Sequence, residues 1–126
     1  MKIAHGKQIC LDYESCEFTS ALNGKWMLEL MRHAVGQSPA REVHSHVEEF
    51  DGSQSPPGFA AVVLLDESHV SAHCYYEAGL LAIDVFTCGN TDPSIIINII
   101  DKELTSKMPT AEKVFKKEVK RFTNSN

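Results

Sequence analysis

The sequence predicts an α+β fold in which an antiparallel sheet packs against two helices. Its 126 residues suffice for one domain, residues 1–126, with a hydrophobic core of its own. Short apolar or alternating runs indicate strands, and a three-residue link at 77–79 favours antiparallel pairing. Asn23 and Asp92 each precede a pattern that predicts a helix. One sheet with a helical layer accommodates all these elements.

The first half of the chain contains two predicted strands, a helix and a loop. Residues 7–14 and 41–50 alternate apolar and polar side chains, as half-buried strands do. Asn23 is a suitable N-cap for a helix that reaches about Val35, where Gly36 ends it. The following run DGSQSPPG consists almost entirely of turn formers and predicts a loop.

The second half adds three apolar strands and a second helix. The strands are predicted at 59–66, 69–76 and 80–87. Asp92 and Pro93 supply an acidic N-cap and a proline at the first helical position, which predicts a helix over 94–104. The final segment AEKVFKKEVKRF spaces its apolar residues at helical intervals, while a terminal strand is also possible.

Composition and charge are those of an ordinary globular protein, with 43% hydrophobic and 23% charged residues and a net charge of −5. No run approaches the ~18 consecutive apolar residues of a membrane span, and the first residues lack the apolar core of a secretory signal. We therefore expect a cytoplasmic protein with no membrane partner.

The basic tail from Lys107 onward has no nucleic-acid-binding motif and is interpreted as solvated surface. The acidic remainder is compatible with a small cationic ligand.

Neither the cysteines nor the histidines show a metal-binding pattern. The four cysteines lack zinc-like spacing and are expected to be free thiols. His44 and His46 share one face of a predicted strand, as zinc ligands could, but no third ligand stands at a recognisable spacing. They are interpreted as surface histidines, and no metal is expected.

Reactive side chains are concentrated where the apolar strand 59–66 ends. Asp66, Glu67 and Ser68 come in succession, and His73 stands five residues after the serine. Polar residues at a strand end are the simplest explanation. A serine hydrolase is poorly supported, because the glycines of a nucleophile elbow do not flank the serine. From the residues alone, a catalytic and a structural role both remain open.

The stretch DESHVSAHCYYEAGLLAIDVFTCG, residues 66–89, resembles the centre of the small prokaryotic S-adenosylmethionine decarboxylases. The resemblance rests on ESH, a histidine five residues after the serine, a Glu-x-Gly and the closing DVFTCG, all at family spacing. It implies the sandwich layer of that family and a homodimer with active sites near its interface. It also implies a place in polyamine biosynthesis.

By this resemblance the chain is a proenzyme that cuts itself between Glu67 and Ser68 into chains 1–67 and 68–126. The Ser68 hydroxyl would attack the Glu67 carbonyl, and elimination with loss of ammonia would turn residue 68 into a pyruvoyl group. That cofactor forms a Schiff base with the substrate amine and accepts the electrons left when CO₂ departs. In the family the counterpart of His73 assists processing as a base.

The resemblance assigns four further positions. The counterpart of Cys88 donates a proton in catalysis, which a thiol can do near neutral pH. Glu77 matches a glutamate expected to contact the substrate through its ribose hydroxyls. Tyr75 stands where the family has a tryptophan, so stacking or a cation–π contact with a sulfonium is retained with a smaller ring. Phe50 is the candidate counterpart of a phenylalanine that stacks on adenine.

Two departures from the family bear on processing. Many members carry a hydroxyl residue that assists cleavage where this chain has Ala60, and Ser53 or Ser55 in the preceding loop are the candidates to replace it. Asp66 adds a carboxylate beside the cleavage site, where small neutral or hydroxyl residues are common.

Three functions follow from this pattern. S-adenosylmethionine decarboxylation leads, because Glu77 and an aromatic ring at Tyr75 are present. Pyruvoyl-dependent decarboxylation of ornithine or arginine is the alternative, because the departures lie mainly on the substrate side. A chain that no longer processes, as Ala60 would allow, could instead regulate an active paralogue. Failure to self-cleave would distinguish this third function, and CO₂ release from each substrate would separate the first two.

Overall fold

The computed structural model describes residues 5–122, which form one six-stranded antiparallel sheet with two helices on one face. In chain order the elements are β1 (His5–Glu14), α1 (Gly24–Gly36), β2 (Glu42–Phe50), β3 (Gly58–Leu65), β4 (Ser68–Tyr75), β5 (Leu80–Cys88), α2 (Pro93–Lys107) and β6 (Glu112–Phe122). The strand order is β2-β3-β4-β5-β1-β6, so the first strand lies between the fifth and the sixth. The predicted α+β fold, an antiparallel sheet packed against two helices, is confirmed.

Both helices begin at the predicted caps. The Asn23 side chain accepts a hydrogen bond from the Trp26 N–H at 3.1 Å, and the Asp92 side chain accepts one from the Ser94 N–H at 3.0 Å. Each bond satisfies a donor that has no partner within the helix. Pro93 occupies the first turn of α2, where its missing N–H costs nothing. Within residues 5–122, neither helix is long and apolar enough to cross a membrane.

One hydrophobic core lies between the sheet and the helices. Alternate residues of the four central strands point into it, and each helix adds an apolar stripe. The largest fully buried side chains are Tyr13, Phe59, Ile9, Leu11, Met27, Met31, Leu81, Ile83, Ile96, Ile97, Ile100 and Leu104. The intervening strand residues point the other way, onto the face of the sheet that the helices do not cover. We call this surface the open face.

The open face carries exposed apolar side chains. Phe50, Leu64, Tyr75, Leu80 and Phe115 lie on it, each between 38% and 51% exposed. Phe50, Tyr75 and Leu80 fall in one row across neighbouring strands. Because monomeric proteins rarely expose large contiguous apolar surface, this face is a candidate contact surface.

Of the two possibilities for the final segment, the strand is the one that forms. β6 pairs with β1 from His5–Phe122 to Glu14–Glu112, and a bulge interrupts the ladder near Asp12. The helical spacing of Phe115 and Val119 is also a strand spacing, because residues four apart share one face of a strand. The free edge of β1 therefore decides a pattern that the segment alone leaves ambiguous.

Candidate active site

The predicted cleavage site lies in the two-residue turn between β3 and β4. Leu65 and Ser68 are paired across the two strands, so Asp66 and Glu67 form the turn. Glu67 has a φ of 66°, in the left-handed region that costs a non-glycine residue about 1 kcal/mol or more. The peptide bond between Glu67 and Ser68 therefore follows a strained residue.

Asp66 is tied to the segment that precedes β2. Its backbone N–H donates to the Arg41 carbonyl at 2.9 Å, and its carboxylate Oδ2 lies 3.2 Å from Arg41 Nη2. Asp66 stands out in the sequence because it adjoins the predicted cleavage site, whereas Arg41 does not, because it lies 25 positions away. Their opposite charges are the only feature of the sequence that suggests a contact between them. Together the two contacts hold the residue that precedes Glu67.

Ser68 and Cys88 meet at the same end of the sheet. Ser68 begins β4, Cys88 ends the adjacent strand β5, and the Cys88 N–H donates to Ser68 Oγ at 2.9 Å. This bond orients Oγ and leaves the hydroxyl proton available for transfer. The chain turns away after Cys88 at Gly89, whose φ is 70°, and the buried Thr87 hydroxyl donates to the Thr91 carbonyl at 2.8 Å. These contacts set where β5 stops and hence where Cys88 lies.

His73 does not reach Ser68 within one chain. It lies five residues further along β4, which places its Cα about 17 Å away. Its side chain is exposed on the open face, where its strand neighbours are Ala60 on β3 and Ala82 on β5. A hydroxyl at position 60 would therefore stand beside His73 and not beside Ser68.

Phe50 and Tyr75 flank a glycine at the His73 end of the open face. Gly58 is paired with Phe50 on one side and with Tyr75 on the other, so the two aromatic residues are two strand spacings, about 10 Å, apart at their Cα atoms. A Cβ at Gly58 would lie 1.9 Å from the Cys74 carbonyl oxygen, so only glycine fits there. Gly58 itself is buried, and the rings on either side of it are exposed.

A cavity of about 250 Å³ continues from this row, lined in part by His73, Tyr75 and Leu80. Glu77 belongs to the turn after β4 and borders a separate, open depression with Glu17 and Glu112. The predicted substrate residues thus share one end of the sheet but not one cavity.

The large groove of about 670 Å³ between α1 and α2, lined by Trp26 among others, lies on the opposite side of the sheet from His73.

The other three cysteines are suited to packing. Burial raises the pKa of Cys16 from 9.0 to about 11 and that of Cys74 to about 12. For Cys10, on the open face, desolvation and the Asp84 carboxylate raise the pKa to about 11. All three thiols therefore stay protonated at neutral pH and are poor nucleophiles.

The histidines of β2 lie on its surface. His46 Nε2 lies 2.8 Å from Glu48 Oε1, and the side chains of both residues are more than half exposed. Across the described part of the chain, no three His, Cys, Asp or Glu side chains are grouped so that they could hold a metal ion.

Comparison with known proteins identifies the family of this chain. A family model described as S-adenosylmethionine decarboxylase matches residues 7–117. The S-adenosylmethionine decarboxylase proenzyme of Carboxydothermus hydrogenoformans is 36% identical over 112 residues, which are 86% of this chain and 84% of that relative. A second such proenzyme, from Bacillus cereus, is 40% identical over 97 residues, 75% of each chain.

The fold is shared with a solved structure. The crystal structure of the adenosylmethionine decarboxylase from Aquifex aeolicus superposes with a TM-score of 0.66 at 24% identity, covering 99% of both chains. At that identity the superposition establishes the architecture, while the sequence relatives and the family model establish the kinship. The chain belongs to the S-adenosylmethionine decarboxylase family of carboxy-lyases.

Proposed function

We propose that this chain is a self-processing, pyruvoyl-dependent decarboxylase that acts on S-adenosylmethionine in polyamine biosynthesis in the cytoplasm. The observation that carries the proposal is the geometry of the turn, with Glu67 at positive φ and Ser68 Oγ bound by the Cys88 N–H. The relatives are named as S-adenosylmethionine decarboxylase proenzymes, which supports both the processing and the substrate. The four free cysteines suit a reducing compartment.

Cleavage requires only groups of the chain and one water molecule. Ser68 Oγ bonds to the Glu67 carbonyl carbon as the C–N bond breaks, and the hydroxyl proton ends on the freed nitrogen, which leaves an ester. A base then removes the Ser68 Cα proton, and the Cβ–Oγ bond breaks, so that Oγ leaves as part of the Glu67 carboxylate. Residue 68 is now dehydroalanine, whose imine form reacts with water to give a pyruvoyl group and ammonia. Breaking the chain after Glu67 also releases the strain of its positive φ, which favours the reaction.

The surroundings of residue 68 fit a pyruvoyl group. The position is half-buried at the end of the sheet and is contacted by the Cys88 backbone, so the group would be partly shielded from water. When formed, the pyruvoyl group supplies a carbonyl that binds the substrate amine and accepts the electron pair left by CO₂. Cys88 contacts Ser68 through its backbone N–H, and its thiol is the group we propose to return a proton to the substrate's α-carbon.

The active form is a homodimer in this proposal, because a single chain keeps His73 about 17 Å from Ser68. Two open faces can pack together about a two-fold axis that lies between the sheets and crosses their strands. That symmetry sets the Ser68 end of one sheet over the His73 end of the other. It also covers the exposed rings of Phe50 and Tyr75. Each active site then combines Ser68 and Cys88 of one chain with His73 of its partner.

The same assembly brings the aromatic pair to the pyruvoyl group. Phe50 and Tyr75 present two exposed rings in one row of the open face, on which a flat aromatic base can stack. A sulfonium beside the Tyr75 ring would gain a cation–π contact. Glu77, at the same end, is the acceptor we propose for the ribose hydroxyls. Ornithine and arginine carry no aromatic base that could stack on these two rings.

The test is cleavage and CO₂ release from one preparation. Purified protein is incubated with carboxyl-labelled S-adenosylmethionine, ornithine or arginine, and the released CO₂ is counted beside a Ser68→Ala control. We expect a cut wild-type chain that releases CO₂ from S-adenosylmethionine, and an uncut, inactive control. If the chain is cut but releases CO₂ only from ornithine or arginine, the proposed substrate is wrong. If the Ser68→Ala control is as active as wild type, the proposed mechanism is wrong.

A further inference from the structure

The turn that carries the scissile bond is held on both sides. Behind it, Asp66 receives two contacts from Arg41, one through the backbone and one through the carboxylate. Ahead of it, Ser68 is paired with Leu65 and bound at Oγ by the Cys88 N–H. Glu67 is therefore the one residue of the turn that joins two anchored neighbours.

Anchoring on both sides bears directly on the strained conformation. A residue in the left-handed region relaxes when its neighbours are free to move, so its φ persists only where the surroundings impose it. The ladder between β3 and β4 fixes Leu65 and Ser68, but it places no constraint on the Asp66 side chain. The constraint there comes from Arg41, which lies outside the hairpin, just before β2.

We propose that Arg41 is a positioning residue for self-cleavage, and that Asp66 is its partner. By holding Asp66, Arg41 keeps the Glu67 carbonyl carbon where Ser68 Oγ can attack it as the C–N bond breaks. The inference rests on the proposed self-processing and adds a regulator of its rate that lies away from the reacting atoms.

The contact is an exposed ion pair, with side chains 71% and 60% exposed, so its effect is modest and sensitive to salt. Loss of such a pair is expected to slow cleavage about two- to fivefold. The chain provides a matched control in Arg32, whose Nε lies 3.1 Å from both carboxylate oxygens of Glu42. That pair ties α1 to Glu42, the neighbour of Arg41 and strand partner of Leu65, and makes no contact with Asp66 or Glu67, so it tests whether any ion pair near the turn has the same effect.

The experiment follows the half-time of cleavage of newly synthesised chain in a cell-free translation reaction, by denaturing gel. The variants are Arg41→Ala, Asp66→Ala, the double variant, the exchanged pair Arg41→Asp with Asp66→Arg, and Arg32→Ala. We expect both single variants to be slower, the double variant to be no slower than either, and the exchanged pair to recover most of the rate. Added NaCl should slow wild type but leave Arg41→Ala unchanged.

Melting temperature of each uncut chain is measured in a Ser68→Ala background, so that folding and cleavage are read separately. The inference would be overturned if Arg41→Ala cleaved with the same half-time as wild type at an unchanged melting temperature. It would also be overturned if Arg32→Ala slowed cleavage as much as Arg41→Ala does. A wild-type chain that never cleaves would overturn the proposed function, and this inference with it. The two failures are therefore distinguishable.

Discussion

Two inactive variants should restore each other if each active site is shared between two chains. Ser68→Ala removes the residue that is cut but leaves His73 in place, and His73→Ala does the converse. Neither variant alone can assemble a complete site in a homodimer. In a mixed dimer, however, the intact Ser68 of one chain faces the intact His73 of its partner. The other site of the same dimer lacks both residues.

The expected extent of cleavage follows from this geometry. The two side chains start about 17 Å apart within one chain, far beyond the reach of a hydrogen bond, so rescue within a chain is excluded. When the variants are co-expressed in equal amounts and pair at random, half of the His73→Ala chains have a Ser68→Ala partner. About half of the His73→Ala chains should therefore be cut, and none of the Ser68→Ala chains.

The assay uses different affinity tags on the two variants and a denaturing gel that resolves each tagged chain and its fragments. Each variant expressed alone provides the baseline. A control that pairs His73→Ala with a chain carrying both Ser68→Ala and His73→Ala should stay uncut, which tests whether the rescue comes from the partner's His73. If His73→Ala chains cleave no more in the mixture than alone, the shared site is wrong, and His73 must reach Ser68 by a rearrangement within one chain.

Three further outcomes follow from single positions. Ala60→Ser places a hydroxyl opposite His73 and should speed cleavage roughly two- to tenfold, the effect of one hydrogen bond, as read from cleavage half-times; an unchanged rate would count against a role for that position. Cys88→Ala should still be cut but lose about 10²–10⁴ in kcat for CO₂ release, because it removes a proton donor; full turnover would rule out that role. Stability should fall as pH rises from 9 to about 11, because the unfolded chain then ionises Cys16 and Cys74 while the folded chain, in which their pKa is raised, does not. The fall should be about 1.4 kcal/mol per pH unit for each thiol, and a flat profile in urea unfolding would contradict it.

Local signals made much of the fold predictable. Asn23 and Asp92 cap their helices through their own side chains, so the helix starts could be inferred from neighbouring residues. β1 and β2 could be inferred from the alternation of apolar and polar residues, and β3, β4 and β5 from short apolar runs. The proximity of Ser68 and Cys88 came from family resemblance, and the β4–β5 ladder supplies its physical basis.

What the sequence could not provide depends on contacts between distant segments. β6 forms because β1 offers a free edge, and no pattern within the last segment reveals that edge. The separation of His73 from Ser68 becomes visible only when both lie on one extended strand. Arg41 and Asp66 meet because the chain before β2 passes the end of β3, and one pair of opposite charges among many is too weak a signal to single out.

The most direct test of the account is the intact mass of the purified protein under denaturing conditions. We expect two chains that divide after Glu67, with the C-terminal chain lighter than its serine form by one ammonia. That result would establish both the cleavage and the pyruvoyl group at residue 68. A single uncut chain that persists for days would contradict self-processing and make the missing hydroxyl at Ala60 the first position to restore.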